Sequence, residues 1–182
     1  MTPDVVAALP DGRTSGLLAP YRTWTKTVMP SVDMVNADAI IDGLVSIVAI
    51  EGPMHSDRAY LLYAQAAGKQ RVGREMRSTL NRVMARSFVA GELTRLKDAL
   101  PGVADSTIYV PGTPPVVVRE LGPRRLYDVP RSEIATLIKV LAFEDLPIVQ
   151  LKRVVLDGLG LVRLTDQASA YIDECLKYVW DL

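Results

Sequence analysis

The sequence predicts a mainly α protein with a small β element, built as two helix–turn–helix-like halves, the first a winged helix. Three observations predict it. Apolar residues recur at helical spacing in six segments, while β-branched runs bounded by Pro and Gly cluster between residues 88 and 121. The order helix, short helix, Gly-containing turn, longer helix then occurs twice. A right-angled helix–turn–helix followed by a strand pair is the winged-helix arrangement, and the second half lacks the strands.

Residues 1–36 read as an irregular N-terminal arm, punctuated by Pro3, Pro10, Gly12, Gly16, Pro20 and Pro30. Leu17, Leu18, Tyr21, Trp24 and Val28 could pin it to the body or to another subunit. Residues 37–121 form the winged-helix-like half. Its first helix is Ala37–Ile50, with Ile40, Ile41, Leu44, Ile47 and Val48 on one stripe, ended by Glu51-Gly52-Pro53. A second helix runs to Ala67, with Ser56 as the better N-cap by chemistry than His55, and Gly68 closes it. The third runs from Arg71 to Arg86 on an apolar face of Val72, Met76, Leu80, Val83 and Met84. Strands are expected at Phe88–Leu96, Thr107–Val110 and Val116–Leu121. Residues 122–182 form the second half, with helices from Pro130 to Ala142, Leu146 to Gly158 and Thr165 to Tyr178.

A shift of 92 residues aligns the halves, placing Gly68 over Gly160, Val72 over Leu164, Leu80 over Ile172 and Met84 over Leu176. The pattern is that of a duplicated unit.

Of 182 residues, 49% are apolar and 23% charged, the balance of a globular protein rather than a disordered or collagen-like chain. One cysteine, Cys175, forbids an internal disulfide and suits a small core position. The longest apolar run, residues 44–50 interrupted by Ser46, falls far short of the roughly 20 residues of a membrane span. Met-Thr-Pro-Asp does not resemble the start of a signal peptide, so a cytoplasmic protein with no membrane partner is expected.

Lysine plus arginine and aspartate plus glutamate each number 21, so the formal net charge is zero. The balance hides one basic block. Residues 58–86 hold seven basic residues and one acid, a net +6, between flanks of −4 (residues 1–57) and −2 (residues 87–182). Such a block points to an anionic partner. At 100° per residue, Arg71, Arg74, Ser78, Asn81 and Arg82 lie within about 50° of the direction opposite the apolar face of the third helix, with Arg77 at the flank. The second helix of a helix–turn–helix pair enters the major groove. Arginine forks onto phosphate or guanine there, and asparagine can bridge adenine. Arg95 and Lys97, in the expected wing, would add phosphate contacts. The same face also fits a solvated surface, or an interaction module that meets an acidic protein. Under the shift of 92, Arg74, Asn81 and Arg82 become Asp166, Asp173 and Glu174, a face that would repel phosphate.

No other constellation points to chemistry. His55 is the one histidine, so no Ser-His or Cys-His nucleophile pair reaches beyond it and a metal site there would lack further His or Cys ligands; it reads as a loop and cap residue. Ala67-Gly68-Lys69-Gln70 lacks the earlier glycine and the hydroxyl of a phosphate-binding loop. No catalytic residue, metal or cofactor is expected. Trp24 and Trp180 read as core or interface anchors alike.

Ile47-Val48-Ala49-Ile50-Glu51-Gly52-Pro53-Met54-His55, then Ala66-Ala67-Gly68 and Arg71-Val72-Gly73, resemble a bacterial domain of unknown function that closes large superfamily-1 DNA helicase-like proteins. Val117-Val118-Arg119, Val129 to Ile134 and Gly158 to Leu164 resemble its later signposts, so that residues 38–178 are covered. The resemblance implies DNA processing or defence against foreign DNA, beside a helicase or nuclease partner, and supplies no catalytic residues. The starting Met and the distinct arm favour a standalone relative. The sequence as a whole therefore predicts a non-catalytic binder of nucleic acid, duplex DNA foremost, with homodimerisation in keeping with winged-helix regulators.

Overall fold

The computed structural model describes residues 18–96, 106–141 and 146–180, with side chains as far as Lys177. Among the described residues six α-helices and three short strands follow in the order α1 Ala37–Glu51, β1 Met54–His55, α2 Ser56–Ala66, α3 Arg74–Ala90, β2 Thr94–Arg95, β3 Thr107–Tyr109, α4 Arg131–Leu141, α5 Ile148–Gly158 and α6 Asp166–Trp180. The mainly helical reading with a small sheet holds. None of these helices is long and apolar enough to cross a membrane.

From residue 18 onward the arm holds no helix until Asp33 accepts from the Asn36 backbone at 3.0 Å and opens a 3₁₀ turn, Met34–Asn36, that leads into α1. Along α1 the stripe Ile40, Leu44, Ile47 and Val48 is buried. Gly43 faces Tyr63 of α2, where a Cβ would lie 2.6 Å from the ring, so the missing side chain lets α1 and α2 approach closely. The helix α1 packs on both α2 and α3, and Ile108 of β3 closes the same core with Tyr60, Leu80, Val83 and Met84. The sheet is antiparallel in the order β1-β3-β2, pairing Met54 with Ile108 and Arg95 with Ile108 from the other side.

Several boundaries differ from expectation. The strand β1 was not foreseen, because two residues after a helix-ending Gly-Pro are too few to show alternation. The third helix starts at Arg74, with the extended Gly73 as its N-cap, so Arg71 belongs to the preceding loop. It also runs on to Ala90, because Ser87 continues the buried face and the first breaker is Gly91. The expected strand Phe88–Leu96 therefore shrinks to Thr94–Arg95. Val116–Leu121 forms no strand. It contributes one parallel bridge, Arg119 to Ala19 of the arm, with the Ala19 amide donating to Val118 at 3.0 Å. Its β-branched residues serve instead as core filling, since Val118 and Leu121 pack on a second core. His55, not Ser56, occupies the N-cap of α2, and Ser56 is buried inside the helix. Leu17 and Lys97 lie outside the described residues, as does the Trp180 side chain.

The second core gathers Ile134, Leu137, Ile138, Val155, Ile172 and Cys175, and α4 packs on both α5 and α6 as α1 does on α2 and α3. The bounds of α5 are those of α2 moved by 92 residues, and α6 begins 92 residues after α3. Gly68 and Gly160 end the second helix of each half in the left-handed region, at φ +78° and +73°. In each, two amides bond back in the same pattern. Lys69 donates to Ala64 and Leu161 to Leu156, both at 2.8 Å, while Gly68 donates to Gln65 and Gly160 to Asp157. Buried positions correspond too: Tyr63 with Val155, Ala64 with Leu156, Leu80 with Ile172, Val83 with Cys175. The first helices align at a shift of 94, which sets Ile40, Leu44 and Ile47 over Ile134, Ile138 and Leu141, all buried.

Candidate nucleic-acid interface

The helix α3 is amphipathic for the reason its spacing gives. Leu80, Val83, Met84 and Ser87 face the core, and Arg74, Ser78 and Arg82, each four residues on, stand exposed on the far side. Arg71 is exposed in the loop before the helix. Beside it an open groove of about 860 Å³ is lined by Lys69, Gln70, Arg71 and Arg74 with Glu75 and Met76. A second hollow of about 450 Å³ lies further along α3, between Arg82, Ala85, Arg86 and Val89. Among the described residues no carboxylate pairs with Arg71, Arg74 or Arg82.

The other expected contacts sit differently. Asn81 is half-buried, and its Oδ1 accepts from the Tyr60 hydroxyl at 3.0 Å, so it ties α3 to α2. Arg77 is bound to Asp57 of α2. Arg86 reaches Asp38 at the start of α1, an exposed pair at 3.0 Å. Arg95 is exposed on β2 with its guanidinium 5.6 Å from the centre of the Phe88 ring. The eight expected contacts thus divide into an exposed strip (Arg71, Arg74, Ser78, Arg82), two side chains engaged with α2, one stacked on Phe88, and Lys97 outside the described residues.

In the second half the corresponding helix face is acidic and partly neutralised. Asp173 accepts from Lys152 of α5 at 2.6 Å, and Glu174 from Arg131 of α4 at 2.9 Å. Asp166 opens α6, exposed, where a carboxylate suits the positive end of a helix.

Sequence reasoning missed the most heavily charged part of the interior. Glu51, fully buried at the end of α1, accepts from the Tyr21 hydroxyl at 2.6 Å, the Trp24 amide at 2.9 Å and Arg58 at 2.8 Å. Burial, then the bond to Glu51, pushes the Tyr21 phenol up to about 12. Arg119 donates to the carbonyl oxygens of Glu51, Gly52 and Pro53 at 2.6–3.0 Å, a cation at the negative end of α1. It also meets Glu133 of α4 at 2.8 Å, and Arg124 holds the same carboxylate through two bonds of 2.9 Å. The Tyr21 ring lies against both guanidiniums, 5.3 and 4.4 Å from its centre. His55 points to the second half, with Nε2 3.5 Å from the Tyr171 hydroxyl, which itself donates to the Val129 carbonyl at 2.6 Å. These groups join arm, α1, linker and α4 at the seam between the two cores. Their partners are up to 116 residues apart in the chain, and no local spacing signals them. Among the described residues no three His, Cys, Asp or Glu side chains gather as a metal site would need.

No family model, curated protein or solved structure matches this chain.

Proposed function

We propose that this protein binds duplex DNA without catalysing a reaction, through the exposed face of α3. The observation that carries the reading is the strip Arg71, Arg74, Ser78 and Arg82, basic, exposed and without an acid partner among the described residues, beside a groove that adds Lys69. Phosphate is the ligand that such a surface meets best, because each arginine placed on a phosphate releases a condensed counterion.

The order of elements supports the docking geometry. A strand between the first two helices, and a sheet in the order β1-β3-β2, fit a winged helix whose third helix enters the major groove. Arg95 on β2 would then approach the backbone beside the groove. The second half is a wingless counterpart that contributes packing, and its acidic α6 face keeps DNA on one side of the molecule. A cytoplasmic setting, pairing of two copies and a helicase or nuclease partner that brings its own catalytic centre complete the proposal.

The test is a titration of a labelled mixed-sequence duplex followed by fluorescence anisotropy at two salt concentrations. Binding in the micromolar range or tighter that weakens steeply with salt is the expected result. Absence of binding at low salt would overturn the reading.

A further inference from the structure

Resting on that reading, we infer that α3 holds the DNA backbone and distinguishes sequences poorly, so that the ligand is duplex DNA of any sequence rather than one operator. Few side chains of the strip are left to read bases. Direct readout needs paired hydrogen bonds to one base edge, and the two side chains of α3 best suited to it besides the exposed arginines are committed elsewhere. An asparagine reads adenine by accepting from N6 with Oδ1 while Nδ2 donates to N7. Here the Asn81 Oδ1 already accepts from Tyr60 at 3.0 Å, and the residue is half-buried between α2 and α3. Arg77 is engaged with Asp57.

What remains is a strip with the wrong composition for a code. Side chains on a helix lean toward its N-terminus. Arg74, the first residue of α3, therefore leans toward the loop that holds Lys69 and Arg71, and the three line one groove. Three cations around one open groove suit the repeating charge of a phosphate strand more than a single base edge. Ser78 can bond to any base, because a hydroxyl both donates and accepts. That leaves Arg82 on the outer face of α3 to fork onto a guanine and Gln70, exposed in the loop, to pair with an adenine, and two base pairs do not define a site. Choice of sequence must come from a partner or from DNA shape.

The experiment uses the full chain and two probes. One is a pool of duplexes with a randomised central segment, carried through rounds of selection. The other is a set of unrelated duplexes of equal length titrated at one salt concentration. The expected result is a pool with no enriched motif and affinities within about threefold, against the roughly 5- to 140-fold loss that one wrong base pair causes in a specific reader. An enriched motif whose single-base variants bind more than about fivefold weaker, in a protein that also binds the unselected pool with steep salt dependence, would overturn this inference and leave the proposed function standing. No binding to any duplex would overturn both.

Discussion

Tyr60 of α2 donates a hydrogen bond of 3.0 Å to Asn81 of α3, and 92 residues further on Lys152 of α5 donates one of 2.6 Å to Asp173 of α6. The residue types differ at both ends, yet the polar tie between the second and third helices occupies one place in the two halves. It also decides the chemistry of the proposed interface, because it takes Asn81 out of the set that could touch DNA.

Removing the tie should cost stability without weakening binding. Tyr60→Phe deletes one hydroxyl and leaves the half-buried Asn81 Oδ1 without its partner, a loss of about 1 kcal/mol. Urea denaturation measures it, and duplex affinity should be unchanged. Asp173→Ala should cost more, above about 1 kcal/mol, because it leaves the Lys152 cation, 9% exposed, with the Ser169 hydroxyl and no acid among the described residues.

Glu51→Gln should be among the most damaging single changes. The carboxylate is fully buried and binds Tyr21, Trp24 and Arg58 together, and its loss leaves the Arg58 cation, 10% exposed, with Asp128 at 3.7 Å as its remaining acid. Breaking a buried ion pair costs about 3–5 kcal/mol, and the Asp128 contact places this change toward the lower figure. Denaturant unfolding followed by circular dichroism would show the midpoint fall. An unchanged midpoint would mean that the seam is wetter than its geometry indicates.

Alkali should unfold the protein through its buried phenols. Burial raises the pKa of Tyr21 and Tyr63 to about 12, and raises Tyr60 and Tyr171 as well. The folded chain therefore keeps protons that the unfolded chain releases near pH 10. The tyrosine contribution is intact below pH 10 and is lost as pH climbs toward the folded values. Tyrosinate absorbance should show a late-ionising group of tyrosines, Tyr21, Tyr60, Tyr63 and Tyr171 among them, that titrates together with unfolding. The Tyr21→Phe variant should lose less stability between pH 10 and 12 than the parent.

The helices were legible because their stripes are local. Ile40, Leu44 and Ile47 announce α1, and the amphipathic pattern of α3 placed Arg74, Ser78 and Arg82 on the outer face where the structure has them. Gly68 and Gly160 carried the repeat because a left-handed residue ends both helices and glycine adopts that conformation without strain. What escaped was set by distant partners. Nothing beside Asn81 in the sequence signals Tyr60 or its bond, nothing beside Arg77 signals Asp57, and the angular position of Arg71 lost its meaning once Gly73 delayed the helix. Val116–Leu121 has strand composition, but its neighbours offer one bridge to Ala19 and no ladder.

The salt dependence of duplex affinity in three proteins separates an α3 that holds phosphates from one that is merely solvated. They are the parent, the triple variant Arg71→Ala, Arg74→Ala, Arg82→Ala, and Arg77→Ala. The slope of log affinity against log salt should fall by about 0.9 for each phosphate-bound arginine removed. The triple variant should therefore lose up to roughly 2.7 units of slope with most of its affinity, while Arg77→Ala, whose partner is Asp57, should keep the parent slope. A triple variant that binds duplex DNA with the affinity and slope of the parent would contradict the assignment of α3 as the DNA-binding surface.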